Sequence, residues 1–243
     1  MLTTRNKPGL LAIIPARSGS KRIPLKNIKE FCGDPIIAYS IKNAIGSELF
    51  TSVMVSTDDG GIAGVAKKYG AEVPFYRTHQ TSNDHATLAE VVLEVLDEYS
   101  KKGMDFDLVC VILPTAPFLT SKTIKNGLDA LTGGDFDAVF PVVRFGYPIY
   151  RGLNLENERV SMIWPENLNK RSQDLKPAFH DAGQFYWLRT EAFLKEKKIF
   201  MDNSGGIEIP ESRSQDIDTE EDWKIAEFKY KYLMELKKNE KQV

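Results

Sequence analysis

The chain has 243 residues, 42% hydrophobic and 27% charged, which suits one large α/β domain or one domain with a small appendage. A formal net charge of −2 excludes a nucleic-acid or membrane-surface binder as the reading of the whole chain, so any basic function is local. No apolar run approaches the roughly 18 residues of a membrane span, and Leu10–Ile14 is too short for a signal-peptide core.

Residues 1–8 read as a frayed start. Leu10–Ile14 is a continuous apolar run, the pattern of a parallel strand buried on both faces. Asp34-Pro35 predicts a helix N-cap with proline at the first helical position, and the helix continues through Ile36–Ile45. Ser52–Ser56 predicts a second strand, followed by a helix through Lys68 that Gly70 ends. Residues 71–76 predict a short strand. Over residues 86–99, Leu88, Val91, Val92, Val95, Leu96 and Tyr99 share one helical face. Strands are expected at 107–113 and 137–143, with a helix at 121–131 between them. Such alternation predicts a mostly parallel sheet with helices on both faces.

The rhythm breaks after Pro141. From Tyr147 to about Trp187 apolar and polar residues alternate: Val160, Met162 and Trp164 on one strand face, and Phe185 and Trp187 on another. Residues 144–187 are therefore expected to form an antiparallel excursion within a single 1–243 domain, and to make a subunit contact. Thr219 caps a last helix, with Asp222 as the acidic partner of a capping box, and Trp223, Ala226, Tyr230 and Leu233 face inward. Lys237–Lys241 reads as a solvated end. Cys32 and Cys110 lack metal-like spacing, and Cys110, inside the apolar run Leu108–Leu113, reads as a buried thiol. These features fit a cytoplasmic metabolic protein.

Chemistry concentrates after the first strand. Arg17, Lys21, Arg22, Lys26 and Lys29 follow Pro15 with no acid before Glu30, and Ser18, Gly19 and Ser20 are small. Small side chains let backbone amides approach a phosphate, and the fixed cations neutralise it. Ligands of open α/β sheets bind beyond the carboxyl ends of the strands, where this loop emerges. The GK[ST] ending and GxGxxG are both absent, so neither a Walker A loop nor a dinucleotide site is expected. A solvated basic turn is disfavoured because the crowded cations repel one another without an anion.

The string Pro15-Ala16-Arg17-Ser18-Gly19-Ser20-Lys21-Arg22-Ile23-Pro24-Leu25-Lys26-Asn27 closely resembles the signature of CMP-sialic acid synthetases. Val55-Ser56-Thr57-Asp58, Pro114-Thr115-Ala116-Pro117 and Asp216-Ile217-Asp218-Thr219 extend the resemblance in the same order over nearly the whole chain. Phe31-Cys32-Gly33, Ala116-Pro117-Phe118-Leu119 and the run His180–Trp187 look like the pseudaminic acid branch of that family. The resemblance implies a Rossmann-like sheet, a homodimer, CTP as co-substrate, Mg²⁺ as cofactor and a nine-carbon keto-acid sugar as acceptor. The implied reaction is attack by the sugar's anomeric 2-hydroxyl on the α-phosphorus of CTP, with release of pyrophosphate. Alignment and charge neutralisation carry such chemistry.

Matched residue by residue, Arg17 and Lys21 fall on triphosphate-binding positions, and Ala16, Ser20, Lys26 and Asn27 join them around the nucleotide. Arg77 matches a nucleotide-contacting arginine, with Asp84 and Thr87 beside it; Thr81–Asp84 could otherwise cap the helix that follows. Asp216 and Asp218, one residue apart, point the same way in an extended segment and suit Mg²⁺; Glu220, Glu221 and Asp222 serve the helix dipole. Arg171, Gln173, His180 and Gln184 are the sugar-binding candidates, with Leu113. His180 stands where the sialic-acid branch carries an arginine and Leu113 where it carries a glutamine, so a less polar pocket is expected. His79 and His85 have no evident partner, so no histidine-based nucleophile is expected. The competing readings are synthetases for CMP-N-acetylneuraminate, CMP-legionaminate or CMP-Kdo. A sugar-1-phosphate nucleotidyltransferase, or a nucleotide-binding protein without chemistry, stands further off.

Overall fold

The computed structural model describes residues 9–240, so the expected frayed start and Lys241 lie outside the described residues. In chain order, β1 (Leu10–Pro15) leads through the basic loop to the short strands β2 (Glu30–Phe31) and β3 (Asp34–Pro35), then α1 (Ile36–Ile45). Next come β4 (Ser52–Ser56), α2 (Gly60–Lys68), a short α3 (His79–Ser82), α4 (Leu88–Lys101) and β5 (Leu108–Ile112). α5 (Ser121–Gly133) and β6 (Ala138–Arg144) precede the hairpin β7 (Leu153–Glu156) and β8 (Arg159–Met162). The chain closes with β9 (Phe179–Asp181), β10 (Phe185–Arg189), α6 (Thr190–Glu196), β11 (Ser204–Glu208) and α7 (Glu220–Glu240).

The main sheet has the order β11-β6-β10-β5-β1-β4, with β9 also on β6. β4, β1 and β5 run parallel, as do β6 and β11, while β10 lies antiparallel between β5 and β6. Alternation along β1 sends Ala12 and Ile14 into one core with Ile37, Ile41, Ile124 and Trp187. Leu11 and Ile13 enter another with Val92, Val95, Tyr99 and Leu188. Helices therefore cover both faces, and each fully buried aliphatic side chain contributes roughly 1.5–3 kcal/mol. A third cluster, Phe31, Ile36, Tyr39, Phe118, Ile217 and Trp223, packs α7 against α1 beside the end of the sheet that carries the basic loop.

α5 closes on β10 through Gly127. A Cβ there would stand 2.6 Å from Phe185 Cε2 and 2.9 Å from Trp187 Cδ1. Overpacking of that kind costs about 1–3 kcal/mol, more than the roughly 1 kcal/mol that glycine costs inside a helix. Trp187, stacked on Phe50, donates its indole N–H to the Ile124 carbonyl at 2.9 Å.

Local chemistry differs from expectation in four places. Asp34 does not cap α1: it pairs in β3, the first helical amide, of Ile36, is taken by the Lys29 carbonyl, and the Asp34 carboxylate holds Lys42 and Tyr69. Residues 71–76 form no strand, because only Glu72 bridges to β4 before Pro74 removes a donor. Thr87, rather than Thr81–Asp84, caps α4, in a reciprocal capping box with Glu90. Phe185 and Trp187 belong to the central sheet rather than to the excursion, and the strand expected through Trp164 ends at Met162. The antiparallel part of 144–187 separate from the main sheet is the β7–β8 hairpin. The Thr219–Asp222 box caps α7 as expected, and Cys110 is a fully buried free thiol whose pKa burial pushes up.

Candidate active site

β1, β4 and β5 end side by side, and three segments leave that edge. Ala16 N–H donates to the Ser56 carbonyl, which continues the β1–β4 ladder by one step into the basic loop. Ser18 is then fixed by Asp58, whose carboxylate accepts the Ser18 amide at 3.1 Å and its hydroxyl at 3.0 Å. Asn27, buried, donates Nδ2–H to the Arg17 carbonyl at 2.9 Å and so ties the far end of the loop back to its start. Leu25 turns the chain in the left-handed region (φ 51) into the short 3₁₀ turn Lys26–Ile28.

The loop forms one wall of a cleft of about 660 Å³. Arg17, Lys21, Arg22, Lys26 and Arg77 line it, as do Ser20 and Asn27, with Ala86, Leu88, Leu113 and Thr115 opposite. Asp84 is the single acidic residue among them. Its carboxylate takes Arg17 and Lys21 together, and these two contacts lower its pKa, Lys21 first. Arg77 is 8% exposed and donates to Ser56 Oγ at 3.1 Å and the Ser56 carbonyl at 2.7 Å. Burial lowers its pKa, and no carboxylate forms an ion pair with it among the described residues. A buried cation without a carboxylate ion pair, beside four further cations, suits this cleft to a polyanion.

The segment before α7 brings Asp218 to two of the cleft's cations. Lys26 Nζ donates to the Ile217 carbonyl at 2.7 Å, and Ile217 itself is buried. Asp218 Oδ1 lies 2.8 Å from Arg22 and 3.6 Å from Lys26. Lys229 holds the other end of the segment through the Ser214 carbonyl and Gln215, each at 3.0 Å. The Asp216 side chain is exposed, with no hydrogen bond or ion pair among the described residues. No group of three metal-ligating side chains exists among the described residues. A two-carboxylate donor set would fit Mg²⁺ where phosphate oxygens and water completed the octahedron, and Asp218 lies beside two cations suited to a phosphate.

The remaining expected site residues divide sharply. Ala16, buried, sits under the loop, and Thr87 spends its hydroxyl on the helix cap. Of the sugar-binding candidates only Leu113 reaches the cleft. Arg171 is exposed and pairs with its neighbour Asp174, and Gln173 is exposed in the same turn. His180, exposed on β9, packs edge-on against Phe145 with Nδ1 2.8 Å from the Asp181 carbonyl. Gln184 is buried and gives its amide to the Arg213 carbonyl at 2.5 Å. Arg171, Gln173, His180 and Gln184 thus do not line the cleft.

Sequence reading assigned no role to two further groups. Asp58 is one; its place directly after β4, on the same edge as the loop, was the available signal. The other is Tyr186, buried, whose hydroxyl donates to Asp181; burial, Asp181 and the charge of Asp216 together raise its pKa.

The cytidylyltransferase family matches residues 11–242. A pseudaminic acid cytidylyltransferase of Campylobacter jejuni subsp. jejuni serotype O:2 is 41% identical over 222 residues, 91% of this chain and 96% of that protein. N-acylneuraminate cytidylyltransferase A of Danio rerio is 34% identical over 92% of this chain and 51% of its own length. Among solved structures, CMP:2-keto-3-deoxy-manno-octonic acid synthetase complexed with CTP superposes with a TM-score of 0.67 at 16% identity, over 94% of this chain and 99% of that one, a likeness of fold. With the family matched from β1 to α7 and the polyanion cleft at the expected edge of the sheet, this chain belongs to the cytidylyltransferase family.

Proposed function

We propose that the protein transfers CMP from CTP to the anomeric 2-hydroxyl of pseudaminic acid and releases pyrophosphate. The observation that carries the reading is the convergence of Arg17, Lys21, Lys26 and Arg77 on one cleft, in a chain 41% identical to a pseudaminic acid cytidylyltransferase. Arg17 and Lys21 hold the triphosphate, Ser20 adds a hydroxyl or amide, and Arg77 supplies a fixed buried charge that needs no reorganisation when the nucleotide arrives. Asp216 and Asp218 hold Mg²⁺, which when bound neutralises phosphate charge and polarises the α-phosphoryl group. Leu113, Ala86 and Leu88 give the cleft an apolar wall, in keeping with a deoxy sugar that offers few hydroxyls.

The hairpin supports a homodimer. Leu153 faces Met162 and Leu155 faces Val160 across the two strands, and Leu153, Leu155 and Val160 are all exposed. Four apolar groups on one face of an isolated two-stranded sheet need a covering surface, and a second copy supplies it. A monomeric mass in solution removes this part of the reading.

The acceptor is tested directly. Purified protein with CTP and Mg²⁺ is expected to release pyrophosphate far faster with pseudaminic acid than with N-acetylneuraminate or a legionaminic acid, followed by product mass. Equal or faster turnover of N-acetylneuraminate overturns the assignment of the sugar and leaves the cytidylyl transfer intact.

A further inference from the structure

In the loop that faces the phosphate-binding cations, the hydroxyl and amide side chains of Thr81, Ser82, Asn83 and Thr87 have local duties, and the Asp84 carboxylate has a distant one. Thr78 N–H is held by Glu94 at 2.8 Å, Thr81 donates its hydroxyl to the same carboxylate, and Ser82 donates to the Thr78 carbonyl at 2.7 Å. Asn83 Oδ1 accepts the amides of His85 and Ala86 at 2.8 and 3.1 Å, closing the turn, and Thr87 caps α4. Elsewhere around this edge, aspartates do similar structural work: Asp58 receives the Ser18 amide and Asp59 caps α2. Asp84 accepts no backbone amide among the described residues. Its carboxylate reaches across 67 residues of sequence to Arg17, and to Lys21 beside it. A single carboxylate thereby occupies two of the cations that line the cleft.

We propose that Asp84 is a displaceable internal counter-ion: it holds Arg17 and Lys21 in the free protein and is expelled when the triphosphate takes both, so that it sets nucleotide affinity. The inference rests on the reading that Arg17 and Lys21 bind the triphosphate. In the free protein the carboxylate relieves repulsion between two cations on a short loop, with buried Arg77 close by, and keeps them aimed at the cleft. A triphosphate carries several charges and more acceptor oxygens, so it outcompetes one exposed carboxylate, whose hold on exposed cations is weak. Apparent affinity falls by the fraction of time the cations are free, so a latch closed nine-tenths of the time weakens binding about tenfold. The anchors at Glu94 and Asn83 lie on either side of Asp84, so the loop retains its tethers when the carboxylate swings away.

The test uses inorganic tripolyphosphate, which carries no base and needs no turnover, titrated into the full chain by calorimetry. Asp84→Asn, near in shape but neutral, and Asp84→Ser as a second variant are expected to bind it about 3- to 10-fold more tightly than the parent. Lys21→Ala is measured alongside and is expected to bind it at least about tenfold more weakly. Unchanged or weaker binding by both Asp84 variants, with Lys21→Ala still defective, overturns the counter-ion and makes Asp84 an aligning residue. Unchanged binding by Lys21→Ala overturns the latch together with the triphosphate reading on which it rests.

Discussion

Lys21→Ala is expected to lower kcat/KM for CTP by about 10²- to 10³-fold, the loss seen when one preorganised charge aimed at a phosphoryl transition state is removed. The side chain is 79% exposed and bonds only to Asp84 among the described residues, so it contributes little to the fold. Its removal should therefore leave the melting temperature nearly unchanged while activity collapses, a combination that separates chemistry from stability. Lys21→Arg keeps the charge but replaces a compact ammonium with a planar fork, and should recover part of the rate. Steady-state kinetics against CTP at saturating sugar, with thermal melts of each variant, checks the expectation. Near-normal kinetics for Lys21→Ala would take the loop out of the mechanism.

The same loop shows why part of the site was legible in the sequence and part was not. Charge crowding, small residues and position after an apolar strand are local properties, and they placed Arg17, Lys21 and Lys26 at the cleft without knowledge of tertiary contacts. Apolar runs similarly announced β1 and β5, because strands buried on both faces carry a signal at every residue. β10 was read as part of an outlying excursion, since Phe185 and Trp187 alternate with residues whose own burial depends on a strand inserted from far away in the sequence. The helix α6 was not anticipated at all: its seven residues bury Phe193 alone and give no periodicity to detect. Side-chain assignments failed where a residue had two available partners. Asp34 was free to cap a helix or to join β3, and the Lys29 carbonyl settled the choice by accepting the Ile36 amide. Arg171 and His180 carried the sugar expectation on resemblance alone, and in the folded chain both lie on exposed surface beyond the cleft.

Asp216→Asn should be the most damaging single change in the acidic pair. Both carboxylates leave the same extended segment, yet they enter different surroundings. Asp218 already shares its charge with Arg22 and Lys26, whereas Asp216 is exposed with no cation of its own among the described residues. On the proposed reading, a cation arriving with the nucleotide would gain most from Asp216, the donor whose charge is uncommitted, while Asp218 would divide its oxygens between the metal and Arg22. Asn keeps one neutral oxygen and removes the charge, so the segment stays tied through Lys26 and Lys229 and the loss is electrostatic rather than structural. The expected result is a fall in kcat of about 10²-fold at fixed Mg²⁺, partly recovered as Mg²⁺ is raised. Asp218→Asn should shift the Mg²⁺ requirement upward in the same direction with a smaller loss, because Arg22 released from its partner can still face the phosphates. Initial rates across a Mg²⁺ titration at constant CTP check both, and an unaltered Mg²⁺ dependence in the two variants would remove the paired carboxylates from the metal's coordination. If the order is reversed, with Asp218 the more costly, then the Arg22 contact is a feature of the free protein that nucleotide binding breaks, as proposed for Asp84 on the opposite wall.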